Sequence, residues 1–224
     1  MIRPEIVARR IGAEGQPIAI VDGFHPDPDA LRAAAATASF EPGRHHYPGV
    51  RAALPADYFA RVRPALVPVL RQVFGHDAGL ELLDASFSIV TTPPADLAVA
   101  QRLPHVDAVQ PGRIALVHYL ALEGGDGTAF FRHRATRLEA IDAARSPGYL
   151  ARLSAELSAN PPPPVYPFGD TALFERTAHV EARYNRAVIY RSALLHSGAI
   201  ASDAPLDADP GIGRLTVTAF LSAS

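Results

Sequence analysis

The chain has 224 residues, 48% of them hydrophobic, with 21 basic and 23 acidic side chains and a net charge of −2. That is enough for a sizeable core, and the mean hydropathy of +0.07 is that of a soluble globular protein. With no basic run or tail, neither nucleic acid nor a membrane surface is expected as a partner, and the absence of a signal-like or spanning apolar run points to the cytoplasm. Zero cysteines exclude disulfides, thiolate–zinc sites and thiol nucleophiles, so any metal must be held by histidine and carboxylate.

In chain order, Pro17–Asp22 reads as a first short strand ended by Gly23. Asp27 to Ala38 reads as a helix with Asp27 as its cap. Residues 44–51, which include His45, His46 and Arg51, read as an exposed or substrate-facing loop. Tyr58, Val62, Leu66, Val69, Leu70 and Val73 fall at helical spacing within Pro55 to Phe74, and Gly75 is the stop. Pro64 and Pro68 are expected to kink or divide this helix.

From Glu81 the period changes to two, with Leu83, Ala85, Phe87 and Ile89 on one face. Arg113 to Leu122 and Thr128 to His133 read as strands around the loop Glu123–Gly127, where Gly124 and Gly125 suit a turn with positive φ. Leu138 to Ala159 has helical spacing, which Pro147-Gly148 should split. Leu173–Val180, Arg186–Arg191 and Arg214–Leu221 complete the strands. The expected architecture is mainly β with flanking helices, in a β-sandwich or jelly roll.

Two H-x-D triplets stand out, His25-Pro26-Asp27 and His105-Val106-Asp107. Nine His and fourteen Asp supply roughly half a match by chance, so the triplet alone is not specific. The first sits where a strand hands over to a helix and reads as structural. In the second, residues i and i+2 of an extended segment leave the same face. Two His and one carboxylate on one face of an octahedron suit non-haem Fe(II), which leaves a third ligand to be found. His118 competes for that place, yet it neighbours Tyr119, and if Tyr119 faces inward then His118 faces outward. His133 and His179 also lie on strands.

The later half runs H-x-D, then Ile114-Ala115-Leu116-Val117-His118-Tyr119-Leu120, then Glu123-Gly124-Gly125-x-x-Thr128-x-Phe130. Asn185–Ser192, Leu195-His196-Ser197-Gly198 and Gly213–Phe220 follow. This ordered set resembles the Fe(II)- and 2-oxoglutarate-dependent oxygenases, within them the prolyl-4-hydroxylase-like branch, and is similar to an uncharacterised bacterial family of that superfamily. The resemblance covers roughly Leu103 to Leu221, with an insertion over 135–172. It implies a double-stranded β-helix (jelly-roll, cupin-like) barrel in a single domain, 1–224, with 1–80 as N-terminal helical support and 81–224 as the core.

By the same resemblance His105, Asp107 and His196 bind Fe(II), and 2-oxoglutarate and O₂ are the cosubstrates. Arg214 holds the C5 carboxylate of 2-oxoglutarate, helped by Thr216 and Tyr119. The outcome is hydroxylation of a small-molecule or peptide substrate. Residue patterning agrees with the Arg214 assignment: Arg214, Thr216 and Thr218 share one strand face, with Leu215, Val217, Ala219 and Leu221 on the other. A guanidinium pairs with a carboxylate through two parallel hydrogen bonds. The gap from His196 to Arg214, 18 residues from 196 to 214, exceeds that of most relatives, and the polar Pro-rich loop 203–210 takes up the excess. Arg102, Arg132 and Arg191 are candidates for substrate recognition, Arg134 for a solvated strand edge. The alternative is a cupin-like metal-binding protein without 2-oxoglutarate chemistry, and a third reading is a binding module.

Overall fold

A computed structural model describes residues 3–43, 47–77, 79–122 and 126–223. The chain runs β1 (Glu5–Ile11), β2 (Gln16–Asp22), α1 (Pro28–Ala36), β3 (Glu41–Pro42), β4 (Gly49–Ala52), α2 (Tyr58–Phe74) and β5 (Glu81–Val90). It continues β6 (Arg113–Tyr119), β7 (Gly127–His133), α3 (Ser146–Ala159), β8 (Phe174–Glu181), β9 (Arg186–Arg191), β10 (His196–Ala199) and β11 (Thr216–Ser222). The strands form two antiparallel sheets, an eight-stranded one in the order β1-β2-β9-β6-β11-β5-β4-β3 and a three-stranded one in the order β10-β7-β8.

Four layers result. The outer face of the large sheet, with Val21, Phe87, Ile89, Leu116, Ile189 and Val217, packs under α1 and α2 through Leu31, Tyr58, Val62, Leu66 and Val69. Its inner face meets the small sheet through Ile18, Ile20, Tyr119, Val188 and Tyr190 against Phe130 and Val180. The small sheet's other face, with Ala129, Phe131 and Phe174, lies under α3 through Tyr149. Each large apolar side chain so buried contributes about 2 kcal/mol, so the two-sided burial of β6, β9 and β11 carries much of the stability.

Local signals account for most boundaries. The Asp27 carboxylate accepts the Ala30 N–H at 3.1 Å, and Pro28 enters the first turn of α1. Gly75 ends α2 at φ 75°, a left-handed conformation cheap only for glycine. Between its ends α2 continues through Pro64 and Pro68, which neither divide nor end it.

Several expectations need correction. The helix expected over Leu138–Ala159 begins at Ser146; the residues before it instead pair Ala140 with Leu194 and lead Glu139 into a buried ion pair with Arg132. The strand expected to reach Leu122 stops at Tyr119, and β11 starts at Thr216 rather than Arg214. Leu83 leaves the alternation of β5 because Phe220 pairs with Asp84 and Leu221 with Leu82, so Leu83 is the extra residue of a bulge. Strands β1, β3 and β10 had no sequence expectation, and β4 takes up the end of the segment 44–51 expected as a loop: β1 is an exposed edge strand, and β3, β4 and β10 have four residues or fewer. No helix among the described residues is long and apolar enough to cross a membrane.

Candidate metal centre

His196 opens β10, opposite Phe130 of β7. On its other side it bridges His105, each backbone N–H donating to the other's carbonyl at 2.9 Å. Residues opposed in this way present their side chains on one face. Two residues further along, the Asp107 N–H donates to Ser192 O at 2.9 Å, which keeps the segment extended and returns Asp107 to the face of His105. Pairing and pleat thus converge three side chains.

Their donor atoms, one from each residue, all lie within 4.8 Å of one another. Nε2 of His196 is 3.4 Å from one Asp107 oxygen and Nε2 of His105 is 3.7 Å from the other. Nδ1 of His196 is 2.8 Å from the Leu194 carbonyl. A carbonyl only accepts, so Nδ1 carries the proton and the Nε2 lone pair faces Asp107. The Tyr190 ring stands edge-on to His196 with centroids 4.7 Å apart and blocks its rotation.

Burial pushes both imidazoles down to about 4, His105 further opposed by the neighbouring His196, and pushes the Asp107 carboxyl up to about 6. Two neutral imidazoles and one strained carboxyl form a donor set short of positive charge. A dication bound at about 2.1 Å from each donor needs donors about 3.0–3.4 Å apart, so small movements of these side chains accommodate one. The residues fit a metal.

The centre faces a cavity of about 760 Å³ between the two sheets, and the His105 side chain opens onto it. Across the cavity, Arg214 Nε donates to the Asp126 carboxylate, and Nη2 donates to Gly127 O at 2.8 Å. Burial works against the Arg214 charge, and Asp126, Tyr119 and Tyr47 more than restore it. The guanidinium lies 5.8 Å from the Tyr119 ring centroid, and the Tyr119 hydroxyl is hydrogen-bonded to Thr128 at 2.7 Å. Thr216 lines the cavity and its hydroxyl donates to Ser88 O at 3.1 Å. Although Arg214 precedes the strand, it keeps the cavity side with Thr216 and Thr218, while Leu215, Val217 and Ala219 lie in the core beneath the helices. The loop 203–210 folds back onto this segment: a Cβ at Gly213 would fall 2.1 Å from Asp207 O, so only glycine fits there.

Two of the competing histidines, His118 and His133, are committed elsewhere. His118 lies on the opposite face of β6 from Tyr119, between the Tyr58 hydroxyl at 3.2 Å and Asn185 Oδ1 at 3.0 Å. His133 joins Glu156 of α3 at 2.8 Å and Thr136 at 2.9 Å, and His179 sits on β8 away from the centre. Arg102 donates to Leu97 O, Arg132 pairs with Glu139, Arg134 with Asp170, and Arg191 with Gln16. None of these four lines the cavity. Of the segment 135–172 only Tyr166 does so; α3 instead braces the small sheet. His45, His46, Glu123, Gly124 and Gly125 lie outside the described residues.

Three cavity residues fall in the segment 44–51, expected as a loop, namely Tyr47, Pro48 and Arg51. Arg51 belongs to β4 and is paired with Ser88, which pairs in turn with Thr216, and Thr216 with Tyr119. A four-residue strand has too little periodicity to reveal this row from sequence.

Among solved structures the chain is similar to the non-heme alpha ketoglutarate dependent epimerase SnoN from nogalamycin biosynthesis, at 13% identity over 92% of this chain and 77% of that one, with a TM-score of 0.50. It also aligns with AviO1 from Streptomyces viridochromogenes Tue57, at 15% identity over 96% and 90% of the two chains, with a TM-score of 0.45. HygX from Streptomyces hygroscopicus, solved with nickel, 2-oxoglutarate and hygromycin B bound, aligns at 11% identity over 94% and 84%, with a TM-score of 0.47. The likeness to SnoN is one of fold. No curated protein matches the chain. Residues 2–221 match the family described as a family of unknown function, DUF6445, and the chain belongs to that family.

Proposed function

We propose that the protein is a non-haem Fe(II)- and 2-oxoglutarate-dependent oxygenase with a jelly-roll core. The observation that carries this reading is the bridge that sets His105 and His196 side by side with Asp107 on one face, opening onto a cavity whose far wall holds Arg214. His105, Asp107 and His196 would be the ligands, a set suited to Fe(II) with coordination positions left open. When bound, Fe(II) with 2-oxoglutarate and O₂ supplies oxidative decarboxylation to succinate and CO₂ and oxidation of an unactivated C–H bond. The protein's own residues orient and exclude. Leu194 O holds the His196 tautomer, Tyr190 holds its ring, and Arg214 with Thr216 receives the C5 carboxylate beside Tyr119. A hydroxylated small molecule or peptide is the proposed product, by the motif resemblance to the prolyl-4-hydroxylase-like branch.

A second reading, a cupin-like metal protein without 2-oxoglutarate chemistry, is favoured by one observation: the Arg214 charge is already met by Asp126. Anaerobic titration with Fe(II) and then 2-oxoglutarate separates the two, through the weak visible band of the Fe(II) chelate. A band that appears with the native protein and is lost in Arg214→Ala, with metal still bound, supports the oxygenase. Metal binding with no band at saturating 2-oxoglutarate leaves the second reading, and no metal binding removes both.

A further inference from the structure

Among the described residues, two guanidinium groups line the cavity, in unequal circumstances. Arg214 has a buried carboxylate partner and a carbonyl. Among the described residues, Arg51 has one ion-pair partner, Asp84, at 3.6 Å, beyond hydrogen-bond reach, and Asp84 is 58% exposed whereas the Arg51 side chain is 20% exposed. Its Nε is buried with no hydrogen-bond partner among those residues. The guanidinium lies 4.4 Å from the centroid of the Tyr47 ring, which fixes its plane. The Arg51 charge also reaches Asp107 through space, but no ion pair or hydrogen bond joins the two. A mostly buried guanidinium whose ion-pair partner is largely in water thus keeps an unmet donor, and an oxyanion in the cavity would meet it through charge-assisted hydrogen bonds.

The placement also sets Arg51 apart from Arg214. Arg51 stands in the row Arg51–Ser88–Thr216 across β4, β5 and β11, and its side chain runs toward Asp84, which pairs with Phe220. Arg214 lies beyond Thr216 at the other end of β11, beside Asp126. A volume of about 760 Å³ exceeds what one small dicarboxylate occupies, and the wall near Arg51 includes Tyr47, Tyr166, Val90 and Ile200. We propose that Arg51 is a second oxyanion anchor, and that the molecule oxidised here is a small one whose carboxylate or phosphate sits on Arg51 with an apolar body against Tyr47 and Tyr166. That this molecule is oxidised rests on the function proposed above; the anchor itself does not.

The test is calorimetric titration of the Fe(II)-loaded, 2-oxoglutarate-saturated protein, without oxygen, with three probes of one chain length: hexanoate, hexyl phosphate and neutral hexanamide. Saturating 2-oxoglutarate occupies Arg214, so any remaining preference for charge reports Arg51. The expected result is that at least one oxyanion binds about tenfold more tightly than the amide, and which one identifies the group. Arg51→Gln should erase that preference, and Arg51→Lys should keep part of it. Equal binding or no binding of all three by the native protein overturns the proposal, as does a preference that survives in Arg51→Gln. Thermal unfolding checks that Arg51→Gln is folded; if it is not, Arg51→Lys decides, and unchanged hexanoate and hexyl phosphate affinities there count against the anchor. If 2-oxoglutarate fails to bind the native protein, the oxygenase reading falls, and the same titrations on metal-free protein still judge Arg51.

Discussion

His25-Pro26-Asp27 and His105-Val106-Asp107 are the same triplet by residue type, yet His25 is buried whereas the His105 side chain is 52% exposed, at the mouth of the cavity. Around His25 the imidazole lone pair and the backbone are turned into the fold, while its Nε2 is buried with no hydrogen-bond partner among the described residues. Its Nδ1 accepts the Asp27 N–H at 3.1 Å, Asp27 caps α1, and Asn185 bonds the His25 backbone at both ends and His118 as well. The ring stacks on Tyr58 at 5.8 Å. Around His105 the lone pairs are turned toward one another across an open cavity, and a second histidine arrives on a bridged strand. Burial lowers the basicity of every histidine in both clusters, so low basicity does not mark a ligand. Convergence of uncommitted lone pairs does.

The sharpest way to break this comparison is at the metal. His196→Ala, measured by calorimetric titration with Fe(II) or Mn(II), should weaken binding by more than about 100-fold, since a direct ligand counts for more than the 10–100-fold typical of a supporting residue. His25→Ala should leave metal affinity unchanged, and equal losses in the two variants would make the distinction false. The next effect concerns stability. Asn185→Ala removes the amide that serves both His118 and the His25 backbone, at a position with φ 60° that asparagine tolerates. It should cost about 3 kcal/mol in denaturant unfolding, with metal affinity retained.

A pH titration of stability sharpens the contrast further. Burial pushes His118 down to about 3 and lowers His25 too. The unfolded chain therefore takes up protons near pH 6.5 that the folded chain refuses. Stability from His118 is complete above about pH 6.5 and is lost as pH falls toward 3, by up to about 1.4 kcal/mol per pH unit, and His25 acts in the same direction. Urea unfolding of metal-free protein across that window checks it, and a flat profile counts against a neutral buried cluster. The smallest effect is at the helix cap: Asp27→Ala should cost about 1 kcal/mol and leave metal binding alone.

Much of the fold is legible locally because the signals are local. Asp27 announces α1, Gly75 ends α2, and the alternation of Leu215, Val217, Ala219 and Leu221 against Thr216 and Thr218 reports a strand with one face on the core and one on a cavity. The stretch 138–145 misled because Leu138 and Ile141, at helical spacing, pack against the small sheet instead. Leu83 misled because a bulge has no periodic signature. His118 was separable from the candidate ligand set only on the condition that Tyr119 faces inward, since neighbours on a strand point to opposite faces.

What the sequence by itself determined is the pairing of His105 with Asp107 on one face and of Arg214 with the threonines on another, since both follow from a backbone period of two. That His196 is the residue brought opposite His105, that Asp126 is set on Arg214, and that Arg51 reaches the same cavity from β4 were decided only in three dimensions. These contacts depend on strand register and sheet order. Those are set by the whole core closing around β6, β9 and β11, and no short stretch of sequence encodes them.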